Sequence, residues 1–303
     1  MSINRKYLNQ RGFSMVELMV AMVIGLFLIS ALVQVVLSGK KSFTAADHFS
    51  RLQENGRVTV SMLTSDLKRA GYMGGNSEID TIYGSAEKED TAATCIGDDT
   101  SWGRMVAQSI YGIDGTNVGY ACISNDDYLR GDVLTVRYAS PWVGGAFEAN
   151  QLYLRSSVFQ GKIFHGSDEA LVNNIVTDQP QSVHELVAYA YFVGNSGRSC
   201  NGAAVPSLFR VKLDSNGNPE TEELLPGVED FQVQYGEAGQ YVNADAVVDW
   251  DQVVSAQFWL LLRSECAETG FNDPRTYNLG IRVYTPGDSF NRQLYSSVVA
   301  FRN

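Results

Sequence analysis

The sequence predicts an α+β chain in which a long N-terminal membrane-spanning helix packs on an antiparallel β-sheet domain with disulfides. Three observations predict it. The first is an apolar run from Phe13 to Leu37 that holds a single charge, Glu17. The second is the absence of proline before Pro141, so nothing interrupts a helix from Phe13 to about Ala70. The third is a series of Val-, Tyr-, Phe- and Leu-rich segments from residue 128 onward, many of them alternating, which read as strands.

The helix has two halves of different character. Residues 13–37 are long enough to cross roughly 30 Å of hydrocarbon at about 1.5 Å per residue, and they form the transmembrane half. No comparable stretch follows, so a single pass is expected. Lys40 and Lys41 stand at its far end, where long stems reach the interface. Residues 38–71 form an amphipathic half. Phe49, Leu52, Val60, Leu63 and Leu67 recur in steps of three and four, with Gly56 at the matching position. Arg51, Glu54, Arg57 and Asp66 are placed opposite, and Gly71 with Gly74-Gly75 ends the helix.

Residues 1–12 precede the apolar run as a short basic leader, with Arg5, Lys6, Arg11 and no acid. These cations hold the leader in the cytoplasm and send the C-terminal domain outward. An ordinary secretory signal places its cleavage site after the apolar region. Here the candidate site, Gly12, lies before it, so cleavage would leave the helix on the mature chain.

The formal charge of −11 becomes three units more negative once the leader is removed. Such a surface repels phosphate and argues against general nucleic-acid binding. All four cysteines, Cys95, Cys122, Cys200 and Cys266, follow the membrane segment. An even count on the exported side implies disulfides. Three pairings are open, and the preferred one is Cys95–Cys122 closing a local loop with Cys200–Cys266 closing a longer one.

Residues 72–127, rich in Gly, Ser, Thr, Asp and Asn, read as an irregular disulfide-containing region. Residues 128–303 read as a β-rich domain with strands at 132–138, 151–157, 186–193, 207–213, 231–235, 253–263, 279–284 and 296–302. Between the fourth and fifth of these, Asp214 to Asn218 reads as a hairpin turn with Asn216-Gly217 supplying positive φ.

GxSxG, HExxH, P-loop and dinucleotide fingerprints are absent from the sequence. Asp214, Asn216 and Asn218 start a calcium-loop pattern. Pro219 replaces its glycine and no glutamate closes it, so no metal is expected. Asp245, Asp249 and Asp251 read as a solvated loop, and His48, His165 and His184 stand at no ligand spacing to the cysteines. No catalytic residue, cofactor or enzymatic activity is expected.

The stretch Arg11-Gly12-Phe13-Ser14-Met15-Val16-Glu17-Leu18-Met19-Val20 closely resembles the type IV prepilin signature. The resemblance implies a type IV pilin-like fold, cleavage between Gly12 and Phe13 by a prepilin peptidase, and N-methylation of Phe13. It also implies that Glu17 pairs with the terminal amine of a neighbouring subunit. A carboxylate in an apolar segment costs several kcal/mol at the bilayer centre, so it normally has such a partner.

Segments farther along resemble the PilW-type minor pilins. They are Ser50 to Arg57, Asp66 to Tyr72, Leu225 to Gly236, Val254 to Arg263 and Tyr295 to Asn303. One departure is Gly74-Gly75, where relatives often carry a cysteine. The resemblance implies a subunit that primes pilus assembly, sits at the tip with other minor pilins, and serves twitching motility, adhesion or DNA uptake. Its implied partners are other minor pilins and the major pilin, the prepilin peptidase, the inner-membrane assembly machinery and a tip adhesin. Its implied location is the bacterial inner membrane with the C-terminal domain in the periplasm, then the pilus. Two other readings share the same anchor: a J-type pseudopilin of type II secretion, and a ligand-binding tip adhesin.

Overall fold

The computed structural model describes residues 12–86, 95–96, 100–172 and 175–301. Leader residues 1–11, parts of the irregular region at 87–94 and 97–99, and the terminal residues 302–303 lie outside the described residues. The chain divides into two compact units, one up to His48 and one from Phe49 onward.

In the first unit the described residues from Met15 onward form one helix. Helix α1 spans Met15–Leu67 and so continues into the second unit. From Met15 to Phe43 its large apolar side chains are exposed. Ser30 and Thr44 return their hydroxyls to the carbonyls of Leu26 and Lys40, which keeps these polar groups satisfied on the helix itself.

In the second unit the helix acquires a buried face. Leu52, Gly56, Thr59, Leu63, Asp66 and Leu67 are buried, while Phe49 is exposed. Asp66 therefore corrects the expected polar face. It is turned inward, where Tyr138 Oη donates to Oδ1 at 2.8 Å and Tyr191 Oη to Oδ2 at 2.5 Å. Burial pushes both phenols well above their ordinary range, and the Asp66 charge adds to the rise. The helix ends at Leu67, three residues before the expected Ala70, and a turn leads to Gly71. Gly71 has φ +79° and donates its N–H to Arg137 O, so the left-handed residue both stops the helix and ties it to the sheet.

Two sheets and a hairpin follow. The strands in chain order are β1 Ile82–Tyr83, β2 Ile110–Ile113, β3 Tyr128–Pro141, β4 Leu152–Ser156, β5 Gly161–His165, β6 Ser182–Cys200 and β7 Ala203–Leu213. Then come β8 Pro219–Pro226, β9 Val228–Glu237, β10 Gln240–Val242, β11 Val253–Arg263, β12 Tyr277–Leu279, β13 Arg282–Tyr284 and β14 Arg292–Ala300. The first sheet runs β1-β5-β4-β6-β3-β2, with β7 pairing the far part of β6 and β8 pairing β7. The second runs β10-β9-β11-β14. The pairings are antiparallel except for β1 with β5.

The main core lies between the second half of α1 and both sheets. Leu52, Leu63 and Leu67 meet Leu134, Val136 and Tyr191 of the first sheet and Phe231, Phe258, Leu260 and Val299 of the second. The other face of the second sheet is covered by the β12–β13 hairpin, where Leu261 meets Tyr277 and Leu279. That hairpin corrects the single expected strand at 279–284: Tyr277–Leu279 folds back on Arg282–Tyr284.

The expected turn at 214–218 joins β7 to β8. Gly217 alone has positive φ there, at +79°, so the Asn216 part of that expectation is corrected. The irregular region is less irregular than its composition suggests. It holds β1, β2 and the short helix α2 Ser101–Arg104. Cys95–Cys122 closes a loop within this region, and Tyr120 Oη shares a hydrogen bond with Thr135 of β3. Arg137 of β3 is fully buried beneath it, donating to Trp102 O and Gln108 O at 2.8 Å. Burial pulls this guanidinium down to about 10.

Asp132 of β3 links the two sheets, accepting from Gly115 N at 2.9 Å and Val233 N at 2.7 Å. Burial pushes its carboxyl up to about 7 despite these donors, with nearby Asp114 adding to the rise. The native state then holds this proton more tightly than the unfolded chain. Its contribution to stability is full below the unfolded value of 3.8 and is lost as pH rises through about 7. Asp288 acts in the opposite sense: Arg292 holds it low, so its contribution is lost in acid. Full-length protein in detergent is expected to melt at a higher temperature near about pH 5 than near about pH 8. The Asp132→Asn variant should flatten that fall, and an unchanged slope would remove Asp132 as its cause.

Candidate assembly site at the helix N-terminus

Gly12, Phe13 and Ser14 precede α1 without helical structure, and all three are exposed. A side chain at Gly12 would meet no atom within 4 Å, so the Gly12–Phe13 bond is sterically open. Phe13 is 84% exposed. Ser14 starts the helix: its Oγ accepts from Glu17 N at 3.1 Å, and Glu17 Oε2 accepts from Ser14 N at 3.2 Å. This reciprocal pair is a capping box, in which two otherwise orphan N–H groups are satisfied by side chains. The Ser14-x-x-Glu17 spacing is its signal in the sequence.

The capping box changes how Glu17 is understood. One oxygen fixes the first turn of the helix, and the other has no hydrogen-bond partner among the described residues. The carboxylate is held in a defined place beside free helical N–H groups, which favour its charge. It can hold its own helix end and accept a cation from another chain at once. Along the same helix one span is long and apolar enough to cross a membrane, and none of that window is buried within the chain.

The remaining sequence candidates have local structural tasks. Asp214 Oδ1 accepts from Asn216 N and Asn218 N, both at 2.8 Å, so it shapes the β7–β8 turn. Asp249 accepts from Asp251 N, and Glu237 accepts from Val248 N and Asp249 N, which organises the acidic loop. His165 Nδ1 bonds Asn150 O, and His184 Nε2 bonds Ser182 Oγ. Among the described residues no group of His, Cys, Asp and Glu is arranged to hold a metal ion. At the Gly74 departure a side chain would run into Ser156 and His184, so this backbone has no room for one.

A second organised centre lies at the far end of the chain. Buried Arg292 donates to Glu229 and to Asp288, and stands 3.6 Å from Asp273. Cys200–Cys266 staples the end of β6 to the same region. No local pattern signals this network, because its members are up to 63 residues apart.

The comparisons fall on these two centres. The family model for the prokaryotic N-terminal methylation motif matches residues 7–33, which hold the open bond, the capping box and most of the apolar span. A second, described as Type IV Pilus-assembly protein W, matches residues 190–303. The chain is a type IV pilus-related, pilin-like protein with a PilW-family C-terminal region. The PilW match of this pilin-like protein begins within β6, takes in the whole second sheet, and includes both Arg292 and the Cys200–Cys266 staple. Motif and helix together make it a membrane-anchored chain. Comparison with curated proteins and with solved structures finds no match.

Proposed function

We propose that this pilin-like protein is a minor pilin subunit that primes assembly of a type IV pilus and stays at its tip with other minor pilins. Prepilin peptidase cuts between Gly12 and Phe13 and methylates Phe13 on the cytoplasmic side of the inner membrane. The domain from Phe49 onward stands in the periplasm until assembly draws the subunit into the pilus. Glu17 then accepts the terminal amine of a neighbouring pilin. The role is mechanical: a charge pair sets axial register while apolar helix surface is buried between subunits.

The observation that carries this reading is the coexistence, in one chain, of a methylation-motif N-terminus with an unshared Glu17 oxygen and a PilW-family region. Two substitutions separate the roles of Glu17. Glu17→Gln retains an oxygen that can accept from Ser14 N and so preserves the cap, but removes the charge. Glu17→Ala removes both. Both variants are expected to insert normally and to lose co-purification with partner pilins by about tenfold or more, as when one member of a desolvated charge pair is lost. Normal recovery of Glu17→Gln would show that the cap, not the charge, is what the protein needs there.

A further inference from the structure

The second sheet ends at β14, and the outer edge of that strand borders a groove of about 850 Å³ against α1. We propose that this edge accepts an extended acidic segment of another protein, which adds to the sheet as a fifth strand. The proposal rests on residues remote from Glu17, so it can fail without touching the pilin reading, and the reverse.

Backbone pairing supplies the first argument. β14 is bonded to β11 along its whole length, from Ser255↔Ala300 to Arg263↔Arg292. Alternate N–H and C=O groups of a strand point away from its neighbour, and no backbone group among the described residues takes those of β14 on the outer side. Such an edge is a template for strand addition.

The shape of the groove supplies the second. Tyr295 of β14 lies flat against α1 at Gly56, where a side chain would overlap its ring, and its Oη donates to Leu52 O. Beyond that contact the helix and the strand separate, leaving Val60, Thr64 and Gln293 to line the space. Side chains of an added strand alternate in direction. Those facing the helix would enter this groove, beside Val60 and the buried Thr64 hydroxyl, which has no hydrogen-bond partner among the described residues.

Charge identifies the guest. From Phe49 to Ala70 the exposed charges are Arg51, Arg57, Lys68 and Arg69 against Glu54, within a chain of formal charge −11. Lys68 lines the groove itself, as does Arg57, which is paired with Glu54 at 3.1 Å. This local reversal favours an acidic segment and disfavours a basic one. A second copy of the chain is a poorer fit. Its acidic edge strand, β8, already has Glu222 engaged by Arg210 and Lys212 and Glu223 by Arg198. A β14-to-β8 contact between copies would also be heterologous and would not close by twofold symmetry.

The test uses full-length protein in detergent and a short labelled peptide alternating glutamate and valine. Expected results are binding by fluorescence anisotropy at low salt and slowed hydrogen exchange of amides 292–300. Affinity should fall on the order of tenfold in an Arg57→Glu/Lys68→Glu variant, because two attractions become repulsions. A lysine–valine peptide should not bind, nor should a glutamate–valine peptide N-methylated at alternate amides. Three results would overturn the proposal: no binding of the first peptide, equal binding of the N-methylated one, or protection of 292–300 through self-association without peptide. The N-methylated control alters no residue of the protein, so its outcome does not depend on how a variant folds.

Discussion

Alanine in place of Gly12 is expected to leave the chain unprocessed, migrating about 1.4 kDa above the mature form, from 12 leader residues at roughly 0.12 kDa each. The structure makes this substitution informative. Nothing lies within 4 Å of where the new methyl group would stand, so the folded chain has no reason to change. Lost processing would then report recognition by the peptidase and not misfolding. Intact-mass measurement of membrane-extracted protein reads the result directly. Normal processing of Gly12→Ala would remove the prepilin reading. The variant should also fail in co-assembly, because an unprocessed Phe13 carries no terminal amine. Combining it with Glu17→Ala should add little, since both changes disable one assembly contact.

Arg292→Met is expected to destabilise the domain by about 3–5 kcal/mol, the usual cost of leaving buried carboxylates without their cation. Glu229 and Asp273 are both buried, and Arg292 is the cation that joins them. Asp273 retains Arg275, while Glu229 loses its bidentate partner. Damage should therefore begin where β9 and β14 start. Thermal or denaturant unfolding of the full-length protein should show a clear loss of stability. Hydrogen exchange should rise first near residues 228–230 and 288–292. Methionine fills much of the same volume, so a cavity is a minor part of the effect. A change below about 1 kcal/mol would mean that the network is not a structural centre.

These two sites differ in how far the sequence discloses them. Gly12, Phe13 and Glu17 lie within six residues at the start of an apolar run, so their pattern is legible without coordinates. Even there one component was passed over. Ser14 looks like a tolerated polar residue until its Oγ is seen receiving Glu17 N. Asp66 is misleading in the opposite way. Helical periodicity places it among the charges, but Tyr138 and Tyr191 reach it from strands 72 and 125 residues away. Burial there follows from two phenols, and no helical pattern can reveal them.

The strands show the same division. Val253–Arg263 was legible at both ends because its Val, Phe and Leu residues serve a core on each face of the second sheet. Pro219–Pro226 was missed because it is an edge strand whose glutamates face Arg210, Lys212 and Arg198. Its β character comes from its neighbour's hydrogen bonds and not from its own side chains.

By itself the sequence determined the apolar span, the isolated charge, the α+β class and most of the central strands, and it marked the bond proposed for cleavage. Each of these is a local property, written in hydropathy, period or spacing over a few residues. The tertiary structure alone decided which acids are buried, how the two sheets share one core with α1, and where a sheet edge stays open beside a basic groove. Those outcomes depend on groups far apart in the chain, whose desolvation and pairing are fixed only when the chain closes around them.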